Sequence, residues 1–294
     1  MSAPVAVDAA FLRSQPLPYH DGNADKDARG RILVIGGSRA VPGALLLSGV
    51  AALRAGAGKL QLATVESAAL HIGVAVPEAL VMALPETPGG DIAPDAARTL
   101  LARLGRCDAV LIGPGMLDEA AATELTIAAM RTDGPAFVID AGALCNLRVE
   151  AAAMARHRGR VVLTPHAGEM ARLMGLPIED IEADPFAVAA RAAAELGAVV
   201  ALKGGRTAIA APDGRMWEYA QGKVGLATSG SGDTLAGVIA GLLARGAAAE
   251  VAAAWGVYLH GEAGNRLSAS RGPVGFLARE LLAEIPAIMA ELSR

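Results

Sequence analysis

Aromatic side chains make up only 3% of the 294 residues, so a core has to be built from Ala, Val, Leu and Ile. Those aliphatics are plentiful: 53% of the chain is hydrophobic and 19% charged, enough for one large buried core. Cysteine is scarce, with only Cys107 and Cys145, which argues against a disulfide framework and for a reducing interior. A net charge of -4 with no basic block argues against nucleic acid or an anionic membrane surface as the main partner. No apolar run reaches the roughly 18 residues of a membrane helix, and Met1 to Arg13 lacks the pattern of a signal peptide, so a cytoplasmic location is expected. The chain also has no Gly-x-x-x-x-Gly-Lys-Ser/Thr, which excludes a P-loop.

What it does have is the stretch Ala227-Thr228-Ser229-Gly230-Ser231-Gly232-Asp233-Thr234. Small residues and two glycines let such a backbone fold tightly and aim successive N–H groups at one point. Leu235, Val238, Ile239 and Leu242 follow at i, i+3, i+4 and i+7, the stripe of an amphipathic helix closed by Arg245 and Gly246. A loop that opens a helix offers unpaired N–H groups and the positive end of the helix dipole, so it suits an anion and above all a phosphate. Asp233 in its mouth has two readings, a helix N-cap or a general base beside a bound phosphate. The flanking glycines, which a plain cap does not need, favour the base.

The rest of the chain alternates short apolar strands with helices. Strands are expected at Arg31 to Ile35, Leu60 to Val65, Ala79 to Leu84, within Asp108 to Gly115 ahead of its glycine turn, at Ala136 to Asp140 and at Arg160 to Thr164. Uninterrupted apolar strands of this kind belong in a parallel sheet covered on both faces, an α/β fold. Four of the strands end in glycine turns or polar residues, and strand ends of one sheet share a ligand crevice, so these four ends should converge. Tight turns around Gly204-Gly205-Arg206 and Pro212-Asp213-Gly214 predict a short antiparallel edge near residues 199–219. Residues 1–29 read as an irregular lead-in to one domain spanning 1–294.

Other residues remain open on their own. Gly113 and Gly115 are either a turn needing unusual φ or a close backbone approach to a flat ligand. His166 is either structural or a donor to phosphate or ribose. Lys203 at a strand end is better placed for phosphate than for solvent, and Asp140 reads as a cap for the following turn rather than an indirect metal ligand.

In order, the chain carries Gly36-Gly37-Ser38 with Val41-Pro42-Gly43-Ala44, Gly113-Pro114-Gly115, Asp140-Ala141-Gly142-Ala143-Leu144, Thr164-Pro165-His166-Ala167-Gly168-Glu169, Leu202-Lys203-Gly204 and Gly230-Ser231-Gly232-Asp233-Thr234-Leu235. This series resembles the ADP/ATP-dependent NAD(P)H-hydrate dehydratases, a branch of the ribokinase-like superfamily and the carboxy-terminal half of bifunctional repair proteins. The resemblance runs from about Arg13 to Pro286. It implies a repair reaction in which ADP or ATP phosphorylates the hydroxyl of a hydrated nicotinamide ring, and loss of phosphate restores NADH or NADPH.

Carried over by motif, Asp233 resembles the catalytic base, with Gly230 and Gly232 in the anion hole. Ala44, Gly115 and His166, with Asp233, would contact the hydrated dinucleotide. Lys203, Gly204, Gly205, Arg206, Thr207 and Gly232 would line the nucleotide site, and Glu169 would hold Mg²⁺ through water. The family further implies a homo-oligomer, often a tetramer, and an epimerase partner that, for a chain of this length, would be a separate chain. The chain departs from the pattern at Lys223-Val224, where Asn-Pro is usual, at Ala167 for Pro, at Gly142 for Asp, and at Asp25-Lys26-Asp27, where only the Lys matches His-Lys-Gly. A ribokinase-like kinase of a vitamin-precursor alcohol is the alternative enzyme, and a nucleotide-binding protein without catalysis is the alternative outside enzymes.

Overall fold

The computed structural model describes residues 3–19 and 25–293, so residues 20–24 of the expected lead-in lie outside the described residues. The chain begins with β1 (Val5–Ala6), α1 (Ala9–Ser14), β2 (Arg31–Ile35), α2 (Gly43–Arg54), β3 (Lys59–Val65), α3 (Glu66–Ala75) and β4 (Ala79–Leu84). It continues through α4 (Ala97–Leu104), β5 (Ala109–Ile112), α5 (Glu119–Met130), β6 (Ala136–Ile139), α6 (Ala151–Arg156) and β7 (Val161–Leu163). Next come α7 (Ala167–Met174), α8 (Ile178–Ala183), α9 (Pro185–Leu196), β8 (Val199–Leu202), β9 (Thr207–Ala210) and β10 (Met216–Tyr219). The last helices are α10 (Ser231–Ala244), α11 (Ala249–Arg271) and α12 (Ala278–Leu292).

All ten strands form one sheet in the order β1-β10-β9-β8-β7-β6-β5-β2-β3-β4. Only β9 runs against its neighbours, pairing antiparallel with β8 and β10, while the other pairings are parallel. The central strands are buried on both faces because they are apolar at nearly every position, not alternately. In β2, Ile32 and Val34 belong to one core cluster and Leu33 and Ile35 to the other. Helices α2, α10, α11 and α12 cover the first face, and α4, α5, α7 and α9 the second.

Two expectations need correction. The antiparallel pairing is not the outer edge, because β1 adds parallel to β10 beyond it, with Val5 opposite Trp217. The lead-in is also not irregular throughout. Asp8 caps α1 by accepting the Phe11 N–H at 2.8 Å, and fully buried Leu12 anchors that turn in the core. Helix α12 starts at Ala278, where Glu280 accepts the Leu277 N–H and fixes the first turn.

α10 lies unusually close to α2. A Cβ on Gly237 would sit 2.2 Å from the Ser48 carbonyl oxygen, and one on Gly241 would sit 2.5 Å from that of Ala52. Two glycines one turn apart therefore let the backbones touch, which presses the start of α10 against the carboxyl ends of the strands. The Ser48 hydroxyl, 3.0 Å from the carbonyl oxygens of both Ala44 and Asp233, ties the two helix starts together.

Candidate active site

The strand ends rise as a staircase of backbone hydrogen bonds. Gly113 N–H donates to Ile35, Asp140 N–H to Ile112, Thr164 N–H to Ile139 and Lys203 N–H to Pro165. Each strand thus fixes where its neighbour's terminal residue begins, and the ends of β2, β5, β6, β7 and β8 meet under the first turn of α10. Gly230 opens that turn with φ 83°, a left-handed conformation that glycine adopts freely. The N–H groups of Gly232 and Asp233 lie in the first turn, where an α-helix has no carbonyl for them to reach. A helix start of this kind, with unpaired N–H groups and the positive end of the dipole, suits an anion.

Below it sits a buried ionic cluster. The Lys203 ammonium is 3.0 Å from Asp140 Oδ1 and 3.6 Å from Glu169 Oε2. A Cβ on Gly232 would lie 3.3 Å from the same ammonium, so the charge is directly beneath the loop. Burial alone would lower the Lys203 pKa, yet Asp140 and Glu169 offset it and the group is held above its ordinary range. Asp140, 2% exposed, also accepts the Thr164 hydroxyl at 2.8 Å. It makes no side-chain cap for the turn at Ala141–Leu144, so the expectation of a cap is corrected to an ion-pair partner of Lys203. Asp233 is pushed up to about 7, first by burial and then by the Asp140 and Glu169 charges, with Lys203 pulling the other way. A carboxyl poised there exchanges a proton readily near neutral pH.

His166 and Glu169 form a capping box at the start of α7. His166 Nδ1 accepts the N–H groups of Gly168 and Glu169 at 3.0 and 3.3 Å, while Glu169 Oε2 accepts the His166 N–H at 2.8 Å. The ring's Nε2 lies 3.5 Å from Glu169 Oε1, and the His166 side chain is 56% exposed. On the other side of the loop, Gly115 carries φ 71°, and a Cβ there would meet Val41 O at 2.5 Å, the Ala44 Cβ at 3.0 Å and the Gly37 Cα at 3.1 Å. Gly115 thus packs against Val41, Ala44 and Gly37, and no larger residue fits there.

A cavity of about 530 Å³ opens beside Gly232. His166, Lys203, Gly204, Gly205, Thr207 and Gly232 line it, and Tyr219, Leu226, Leu235 and Val257 make its apolar end. Asp233, Gly230 and Glu169 are not among its lining residues. Arg206 does not line it either: its guanidinium pairs with Glu218 and lies 5.3 Å over the Phe186 ring. The departing residues Lys223 and Val224 do line it. Sequence reasoning passed over His260 on α11, whose Nε2 is 2.8 Å from the Ser231 hydroxyl inside the cavity. A lone histidine within a helix carries no signal of its own in the sequence.

Residues 32–287 match the NAD(P)H-hydrate dehydratase family. The chain belongs to that family. It is 49% identical over 289 residues to the ADP-dependent (S)-NAD(P)H-hydrate dehydratase of Xanthomonas campestris pv. campestris, covering 98% of this chain and 97% of that protein. It is 42% identical to a bifunctional NAD(P)H-hydrate repair enzyme of Moorella thermoacetica, matching with 97% of its own length and spanning 54% of that protein. The structure superposes with a TM-score of 0.82 on the ADP/ATP-dependent NAD(P)H-hydrate dehydratase of Bacillus subtilis co-crystallized with ATP/Mg²⁺, at 29% identity and over 98% of this chain and 99% of that one. The fold is ribokinase-like, and membership of this family sets aside the vitamin-alcohol kinase. No helix among the described residues is long and apolar enough to cross a membrane.

Proposed function

We propose that the chain is an ADP-dependent NAD(P)H-hydrate dehydratase acting on the S-epimer, able in principle to use ATP as phosphoryl donor. The observation that carries this reading is Asp233, a carboxyl raised to about 7 in the glycine-opened first turn of α10, beside the cavity at Gly232. The cavity beside Gly232 takes the nucleotide, with Lys203, Gly204, Gly205 and Thr207 along it. The hydrated dinucleotide takes the side of Ala44 and Gly115 and reaches His166 across the loop. Asp233 accepts the proton of the ring hydroxyl as that oxygen attacks the terminal phosphoryl group. The N–H groups of Gly232 and Asp233 and the Lys203 ammonium stabilise the charge on the transferred group. Phosphate then leaves with the C–O bonding electrons, the neighbouring ring carbon gives up a proton to solvent, and that C–H electron pair becomes the restored double bond of the reduced nicotinamide.

Magnesium suits the all-oxygen carboxylate chemistry at the phosphate end, although no group of three or more His, Cys, Asp or Glu side chains among the described residues is placed to cage it directly. Glu169 would hold it through water, and its chemistry when bound is neutralisation of phosphate charge. The protein is proposed to be cytoplasmic and to work as a homo-oligomer, a tetramer in the family's manner. Leu70 and Val74, each 77% exposed and one turn apart on α3, stand beside the free edge of β4. A second copy of the chain is the natural cover for that edge.

The test is recovery of reduced-nicotinamide absorbance from hydrated NADH with Mg²⁺ and either ADP or ATP. Recovery that requires a nucleotide supports the reading and names the donor. Absence of recovery with both would overturn it.

A further inference from the structure

The cavity's polar end holds a pair that the proposed reaction has not used. Ser231 is the first residue of α10 and 5% exposed, yet its hydroxyl lines the cavity beside Gly232. Its one side-chain partner is His260, which comes from the middle of α11 and whose Nε2 lies 2.8 Å away. Around His260 the wall is largely apolar, with Leu235, Val257 and Tyr219. Burial drives the His260 pKa down to about 4, and the Lys203 charge adds to the effect, so the ring is neutral at working pH.

A neutral ring can meet the hydroxyl in two ways. If the hydroxyl donates to Nε2, only oxygen lone pairs face the anion hole, and they repel a phosphate. If the Nε2–H donates to the hydroxyl, the Ser231 proton is free to point at a phosphate oxygen. An anion in the hole selects the second arrangement.

We propose that His260 is a positioning residue for the nucleotide: by donating to Ser231 Oγ it turns the Ser231 hydroxyl into an additional donor to the nucleotide phosphate at the start of α10. The inference rests on the proposed nucleotide role of this cavity. Hydrogen bonds to a charged phosphate are among the stronger ones, so loss of this donor should weaken ADP binding by about tenfold or more.

The test is calorimetric titration of ADP with Mg²⁺ into wild type, Ser231→Ala, His260→Phe, the double variant and His260→Gln, with thermal melting as a check on folding. Gln keeps an N–H near the position of Nε2, whereas Phe does not. The expected result is a Kd raised about tenfold in both single variants, no further loss in the double variant, and His260→Gln within about threefold of wild type. The split should reappear in turnover as a raised KM for nucleotide with a much smaller change in kcat and no change in KM for the hydrate. Independent, multiplying losses in the double variant would overturn the relay, as would ADP binding by folded His260→Phe or Ser231→Ala as tight as wild type. Failure of wild type itself to bind ADP would instead overturn the functional reading beneath it.

Discussion

On the β2 and β5 side of the glycine loop the site is shaped by backbone, whereas on the β6, β7 and β8 side it is shaped by charge. The first side meets its neighbours through Gly37, Ala44 and Gly115, where a Cβ at Gly115 would fall 2.5 Å from a carbonyl oxygen. The second holds Asp140, Glu169 and Lys203 in one buried cluster that reaches Asp233 through its field. A flat ring can be admitted by removing side chains. Proton transfer and phosphate binding need charges held out of water, where they act strongly.

If that division is right, changes on the charged side should act on chemistry and stability together. Asp233→Asn is expected to lower turnover by about 10²–10⁴-fold while ADP still binds, as read by the absorbance assay and by titration. The same change should raise the melting temperature at pH 8. With its pKa lifted from 3.8 to about 7, Asp233 holds a proton in the folded state that the unfolded chain has lost, so stability falls as pH rises through that window. A melting temperature unchanged or lower at pH 8 would count against the buried carboxylate.

Lys203→Met comes next in size. It leaves Asp140, 2% exposed, without its cation, and a loss of about 3–5 kcal/mol in denaturant unfolding is expected. A loss under about 1 kcal/mol would mean that the cluster is wetter than it looks.

On the backbone side, Gly115→Ala should raise KM for the hydrate about tenfold and cost about 1–3 kcal/mol, while the Kd for ADP stays put. An equal rise in both constants would erase the distinction between the two sides. The smallest effect on chemistry is expected from Leu70→Asp, far from either. It should lower the mass seen by light scattering and leave kcat within about twofold. An unchanged mass would remove α3 and β4 from the subunit contact.

Much of the fold could be read before the structure because its central strands are apolar on both faces and several run directly into Gly, Pro or a charged residue. Arg31 to Ile35 and Asp108 to Gly115 carry that pattern openly, and both lie where it predicts. Helix α3 was missed because Glu66–Ala75 has no side-chain cap and no clear apolar stripe. Helix α7 was missed for another reason: its capping box uses His166 in the place where Ser or Thr signals a helix start. Asp140 was misread because a carboxylate ending a strand resembles a cap, and its pairing with Lys203 spans 63 residues of chain. The same limit hid His260, whose partner Ser231 is 29 residues away and visible only once α10 and α11 pack. Local patterns show where the strand ends are; which charged groups meet across them depends on strand order.

The measurement that bears most directly on Asp233 as the base is single-turnover restoration of reduced nicotinamide across pH 5.5 to 8.5, at saturating ADP, Mg²⁺ and hydrated NADH. The base must be deprotonated to act, so the rate should rise with pH and reach half its maximum near pH 7, about where burial places the carboxyl. A rate that is flat across this range, or that falls as pH rises, would contradict the account.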